Sequence, residues 1–244
     1  MDPLSTLPTP IAPQEWPKQK AWSISAVRNH DTCPLKFRFQ RIDRLPEPQD
    51  GSGPLARGTA IHEMLAHAIQ HGYWPDEEIP ETLKLWDDYI DSLRVQNGMP
   101  EKQIAFRKDW TQCEWYAQDV WARFVFDVVV EPTPDNDWTV KVVDWKSGKK
   151  YDTHSMDARL YALAALKMYP DAKRASVSFH YVDRPPTGDS VGYACERGVM
   201  PDLEAYSETF NHDFLNDTLY PARTGFHCRW CHFRKSNNGP CAFG

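Results

Sequence analysis

Asp144 and Lys146, separated by Trp145 and preceded by Val142-Val143, are the residues on which chemistry can be built in this chain. If Thr139 to Lys146 form a strand, its period of two sets Asp144 and Lys146 on one face. A carboxylate and an ammonium side by side at a strand end can bind a divalent cation and steady an attacking water. Ser147-Gly148 then ends the run. A second β-branched run, Phe124 to Val130, carries Asp127 between Phe126 and Val128. A charge inside such a run is costly to bury unless it is paired or ligates a metal. Two adjacent strands with one aspartate each therefore predict an oxygen-rich cation site. Alone, a D-x-K on a strand is ordinarily a surface ion pair worth little.

A second group of metal-binding type lies at the C-terminal end. Cys228-Arg229-Trp230-Cys231 is a C-x-x-C pair, and Cys241 follows after nine intervening residues. In a cytosolic protein such spacing indicates metal rather than disulfide. Three thiolates need a fourth ligand, and Cys33, Cys113, Cys195, His227 and His232 are the candidates. Zinc accepts four thiolates or three thiolates and an imidazole, whereas an iron–sulfur cubane prefers four thiolates. Spacing alone leaves the choice open.

The elements that must position these groups read as follows. Residues 1–20 hold five prolines and little periodicity, which predicts a flexible leader, with a single domain over 21–244. Ser23 or Ser25 caps a helix running toward Cys33-Pro34, after which basic and aromatic residues interleave through Phe39. Gly51 to Pro54 is a loop. Leu55 to Ile69 has the helical apolar period and carries His62, and Glu81 to Gln96 is an acidic helix. Ile104 to Glu131 reads as two or three strands, with Trp110, Trp115 and Trp121 half-buried. Pro132 to Asp137 turns into the Asp144 strand. An amphipathic helix from His154 to Tyr169 presents Asp157, Arg159 and Tyr161. Ala175 to Val182 is a further strand, residues 185–188 turn the chain, and Pro201 to Leu219 is the last helix. Strand, strand, helix, strand in the second half predicts an α/β core with helices on a mixed sheet.

Composition limits the function classes. The hydrophobic fraction of 41% and aromatic fraction of 13% describe a globular chain, and no apolar run reaches membrane-helix length. No secretory signal is visible, so a cytoplasmic location is expected, in a bacterial cell or a virus-infected host. The net charge of -6 does not itself mark a nucleic-acid binder, but its distribution is uneven. Eight acids crowd residues 76–101, five bases occupy 28–44, and no acid follows Leu219. An acidic outer helix and a basic face built from both chain ends are expected.

Taken in order, these pieces resemble the RecB-type nuclease family of the PD-(D/E)XK superfamily, in its iron–sulfur branch. That branch includes the AddB nuclease domain and the CRISPR-associated RecB-like exonucleases. The resemblance spans Trp22 to Gly244. It rests on Ser23-Ile24-Ser25 through Cys33-Pro34, on Gly58 to His62, on Asp127, on Asp144-Trp145-Lys146, on Asp157 to Tyr161, and on the three clustered cysteines. It implies a restriction-endonuclease-like core whose N- and C-terminal segments, 21–50 and 220–244, are joined by a cluster. By resemblance, His62, Asp127, Asp144 and the Trp145 carbonyl ligate Mg²⁺ or Mn²⁺. Asp127, Asp144, Lys146 and Tyr161 form the catalytic set, and Cys33, Cys228, Cys231 and Cys241 hold a [4Fe-4S] cluster, with zinc as the alternative. Arg38, Arg57, Lys149 and Lys150 are assigned to DNA.

The implied function is a metal-dependent DNA exonuclease acting on single-stranded ends, in repair or recombination, viral DNA processing or CRISPR adaptation, with a protein partner in such a complex. Asp157 stands where the family has glutamine, Phe124 where it often has glycine, and the gap from Cys231 to Cys241 is long. The competing expectations are a catalytically weak or inactive nuclease fold that grips DNA or a partner, and a zinc-bearing adaptor with an incidental D-x-K.

Overall fold

The computed structural model describes residues 15–47, 53–75, 78–186 and 190–243. Most of the leader, much of the 51–54 loop, part of the 185–188 turn and the side chain of Leu55 lie outside the described residues. A six-stranded sheet in the order β2-β1-β3-β4-β5-β6 forms the middle layer. Its strands are β1 (Met99–Phe106), β2 (Gln112–Cys113), β3 (Ala122–Val130), β4 (Thr139–Lys146), β5 (Arg174–Tyr181) and β6 (Val191–Glu196). Only β4 and β5 pair in parallel, and the helix α6 (Thr153–Met168) connects them, as a parallel pair requires.

Helices cover both faces. On one side α6 buries Leu160, Leu163 and Leu166 against Phe124, Phe126, Val142 and Phe179. The same core takes in Phe37 from α2 (Pro34–Arg41), Val27 from α1 (Ile24–Thr32) and Phe214 from α7 (Met200–Asn216). On the other side α3 (Pro54–His71) and α5 (Asp87–Val95) pack Leu65, Ile69, Ile90 and Leu93 on Val128, Val143 and Trp145. Burying one aromatic or aliphatic side chain of this size contributes about 1.5–3 kcal/mol, so both layers hold the sheet. Together these layers form the mixed α/β fold expected from the chain order.

Several expectations change. The acidic helix over 81–96 is two pieces, α4 (Glu81–Lys84) and α5, because Trp86 leaves the helical course to pack against Trp145 at 5.7 Å. Helix α6 is not an amphipathic stripe: Ala158, Leu160 and Ala162 through Leu166 are all buried, since it lies between the sheet and α7. Strand β1 starts at Met99 rather than Ile104, and β6 was not anticipated. The segment from Glu15 to Lys20 is docked rather than loose. Trp16 donates its backbone N–H to Thr218 and its ring lies 4.1 Å from the Arg38 guanidinium. Among the described residues no helix is long and apolar enough to cross a membrane.

Candidate active site

Strand alternation places Asp144 and Lys146 on one face of β4 and Val143 and Trp145 on the other, where the Trp145 ring joins the α3–α5 core. Lys146 Nζ lies 2.5 Å from Asp144 Oδ2 and 4.9 Å from the Phe179 ring centroid. Asp144 is 3% exposed, and its Oδ2 makes an ion contact with the lysine but no directed hydrogen bond among the described residues. Burial pushes the Asp144 carboxyl up to about 6, with the Lys146 charge pulling the other way and Asp127 adding to the rise. Lys146 keeps its proton more firmly than a free lysine: burial opposes its charge, but Asp144 and Asp127 outweigh burial.

β4 leaves β3 just where the site begins. The two strands pair from Val130–Lys141 to Val128–Val143 and no further. Beyond that point Asp127 Oδ2 accepts the Trp145 backbone N–H at 2.7 Å, a side chain standing in for the missing ladder bond. The alternation of β3 also slips at Asp127. Phe124 and Phe126 face the α6 core, yet the next residue to do so is Val129, while Val128 and Val130 face the opposite layer. On β1 the same slip falls at Glu101, which takes φ 51° between two strand residues paired normally across to β3. Left-handed backbone at a non-glycine residue in a strand is strained and is held by its surroundings.

The consequence is a third carboxylate that period-two reasoning missed. Ligand atoms of His62, Glu101 and Asp127 all lie within 4.8 Å of one another. His62 Nδ1 is 3.3 Å from Asp127 Oδ1. Burial works against charge on His62, but the hydrogen bond to Asp127 and the charges of Asp127, Asp144 and Glu101 hold its pKa above the ordinary value. Glu101 is raised as well, by partial burial and then by Asp127. Crowded acids that resist ionising beside a histidine that holds its proton form a site short of positive charge. With the Asp144 oxygen lacking a directed donor, one imidazole and three carboxylates fit a hard divalent cation. The only sequence signal for Glu101 was its position across from Asp127, and that needs the strand register.

The remaining expected residues fall into place around this centre. Gly58, one helical turn before His62, allows α3 to approach the end of β4: a Cβ there would stand 3.3 Å from Ser147 Oγ. Tyr161, on α6, packs 5.8 Å from Phe126 and 5.7 Å from Phe179. Burial first, then Asp144 and Asp127, holds its phenol well above the ordinary range, so it remains a proton donor. Asp157, one turn earlier, is bound by Arg28 of α1 through Nε at 3.0 Å and Nη2 at 2.6 Å.

Two of the residues assigned to DNA are engaged elsewhere. Arg57 pairs with Asp183, which also accepts the Gly148 N–H at 2.7 Å and so fixes the turn after Lys146. Arg38 binds Asp43 at 3.0 Å. Lys149 and Lys150 are exposed just beyond that turn.

The described N- and C-terminal segments meet around α2. The Leu35 N–H donates to Pro221, Arg223 donates its N–H to Cys33 Sγ at 3.5 Å, and Phe39 packs 5.3 Å from Phe233. Cys33, Cys228, Cys231 and Cys241 line one small cavity, and all are free thiols. Among the described residues no three cysteine sulfurs come within 4.8 Å of one another. Cys113 and Cys195 are on β2 and β6, outside this cavity.

A mixed sheet thus lies between helical layers, with a strand-end aspartate and lysine beside a histidine and two further carboxylates. The family model described as the PD-(D/E)XK nuclease superfamily matches residues 21–236, and the chain belongs to that superfamily. No curated protein matches it. Among solved structures it is similar to SSO0001, with 13% identity and a TM-score of 0.44 over 93% of this chain and 89% of that one. It is also similar to a "putative exonuclease" from Eubacterium rectale, with 8% identity and a TM-score of 0.46 over 92% and 90%. Neither likeness bears on the activity.

Proposed function

We propose that this chain is a Mg²⁺- or Mn²⁺-dependent DNA exonuclease that hydrolyses phosphodiester bonds at single-stranded ends. The observation that carries the reading is the convergence of His62, Glu101 and Asp127 beside the Asp144–Lys146 pair. His62, Asp127, Asp144 and the Trp145 carbonyl are the assigned ligands, joined by Glu101. A bound divalent ion supplies a water of lowered pKa and offsets charge on the scissile phosphate. Lys146, charged despite its burial, orients the attacking water and meets the negative charge that develops. Tyr161, held protonated, positions a DNA backbone oxygen by donating its O–H, or Lys146 by accepting from its ammonium.

Asp157 does not leave an uncompensated charge beside Lys146, because Arg28 neutralises it. Repair or recombination, viral DNA processing and CRISPR adaptation, each with a protein partner, are the settings such an activity fits. End-labelled single-stranded DNA incubated with Mn²⁺ tests the reading. The parent chain is expected to degrade it and Lys146→Ala is not. Intact DNA with both proteins would sink it.

Glu101→Gln gives a second test. It is expected to weaken Mn²⁺ binding by about tenfold to a hundredfold, a loss of the size seen when a supporting group at a metal is removed. The fold should survive because Glu101 is exposed. Electron paramagnetic resonance titration of free Mn²⁺ reads the change, and an unaltered affinity would remove Glu101 from the ligand set.

In the same reading Cys33, Cys228, Cys231 and Cys241 hold a [4Fe-4S] cluster of structural character. Four free thiols around one cavity support it. The expected result for Cys228→Ala is loss of visible thiolate–iron absorption together with solubility, after anaerobic purification. A soluble and active Cys228→Ala protein would show that the cavity is not a crosslink, and a colourless parent that carries zinc would replace the cluster by the alternative ion.

A further inference from the structure

We infer that the open cleft between the start of α1 and the near end of β3 is the track of a single DNA strand, with Trp115 as its stacking platform and Arg41 and Arg123 as its phosphate contacts. This rests on the nuclease reading above and states where that substrate lies. The cleft has a volume of about 630 Å³, and Lys146, Asp157 and Tyr161 are part of its wall. Whatever fills it therefore abuts the candidate catalytic lysine. Its size is that of a site enclosing one small ligand, the scale of one or two nucleotides rather than a duplex.

The lining has the charge and the aromatic surface that a strand needs. Four bases, Arg28, Arg41, Arg123 and Lys146, face a single acid, Asp157, on a chain whose net charge is -6. Arg28 is committed to that acid. Arg41 and Arg123 have no carboxylate partner among the described residues. Arg123 Nε donates to the Trp115 carbonyl at 2.9 Å, and its guanidinium carbon lies 5.7 Å from the Trp115 ring centroid, so ring and charge are set side by side. Ser23 to Ala26, the cap and first turn of α1, also line the cleft, and that turn carries no acidic residue. Partial positive charge at a helix start adds to the attraction for phosphate. The indole N–H of Trp22, in the same wall and 1% exposed, has no hydrogen-bond partner among the described residues. Bases stacked inside a duplex offer Trp115 no face, whereas each unstacked base of a single strand does.

Fluorescence anisotropy of a labelled single-stranded oligonucleotide tests this, in Asp144→Asn protein so that cleavage does not intervene. Adding Trp115→Ala is expected to weaken strand binding by about tenfold, and Trp115→Phe to retain most of it. Adding Arg41→Gln is expected to weaken binding and to flatten the salt dependence by about 0.7 in log–log slope, the share of one phosphate contact. Mn²⁺ binding by the Trp115 and Arg41 variants with Asp144 intact should equal the parent's, which separates a lost strand contact from a damaged fold. Equal strand affinity in all variants would overturn the cleft assignment, and so would a blunt duplex bound as tightly as the single strand. A parent chain that cuts no DNA would overturn the nuclease reading instead, while strand affinity would still decide the cleft.

Discussion

Asp144→Asn is expected to lower DNA cleavage by about three orders of magnitude or more while making the metal-free protein more stable at neutral and alkaline pH. The first effect follows from removing a charged group that acts on the ion and the developing charge of the reaction. The second follows from burial. Asp144 is 3% exposed and its carboxyl is pushed up to about 6. A folded-state pKa above the unfolded value means that the fold favours the protonated acid. That stabilisation is fully present below the ordinary carboxylate range and is lost as pH rises through about 6. Above that pH burial disfavours the charged carboxylate despite its contact with Lys146, and asparagine does not incur that cost. Denaturation in the presence of a chelator should show a gap between the Asp144→Asn variant and the parent. That gap should open as pH rises out of the ordinary carboxylate range and reach its full size once pH passes about 6. Saturating Mn²⁺ should then raise the parent's stability by mass action and leave the variant behind. A gap that stays constant with pH would contradict the buried, proton-favouring Asp144.

Arg28→Ala is expected to destabilise the protein by about 3 kcal/mol, the usual cost of stripping one partner from a largely buried ion pair. Asp157 would keep its side chain at 12% exposure with no counter-charge within hydrogen-bond reach. Burial already raises the Asp157 pKa, against the pull of Arg28 and then Lys146, and loss of Arg28 would raise it further. The decisive comparison is the double variant Arg28→Ala/Asp157→Gln, which carries the family's neutral residue at that position. It is expected to recover most of the lost stability, because no buried charge is left unpaired. Chemical denaturation of the four proteins of the cycle gives the coupling directly. Additive effects would show that the 2.6 Å contact carries no energy of its own.

The Arg28–Asp157 pair also supplies a counter-charge for the acid that stands one turn before Tyr161. It ties α1 to α6 across the edge of the cleft, so the pair sets the distance between the helix start and Lys146. Loosening it should therefore affect strand binding as well as stability.

Much of this molecule was legible from residue order alone. The Asp144 strand is bounded by Thr139 and Lys146 as its apolar alternation and the Ser147-Gly148 stop require. Ser23 caps α1 by accepting the Ala26 N–H at 3.2 Å, and Pro34 opens α2 after the interruption at Cys33. These are local effects: a period, a cap, a ring that fixes φ. Asp127, Asp144 and Lys146 could be named because each residue type is anomalous in its own segment, and His62 only through the family resemblance. Glu101 could not. Its part in the site comes from a left-handed residue inside β1 and from the register that sets it across from Asp127, and neither is written in its neighbours. The break of the 81–96 helix likewise depends on Trp86 finding Trp145 and His180 across the layer, a contact that outweighs local helix propensity. Edge strand β6 escaped notice although Val191, Tyr193 and Cys195 alternate toward the core, because Gly192 and Ala194 between them supply no polar contrast to mark the period. Arg28, Arg41 and Arg123 look alike in sequence. Only packing decided that the first is spent on Asp157 while the other two have no carboxylate beside them in the cleft, because pairing between charges is set by distance in space and not along the chain.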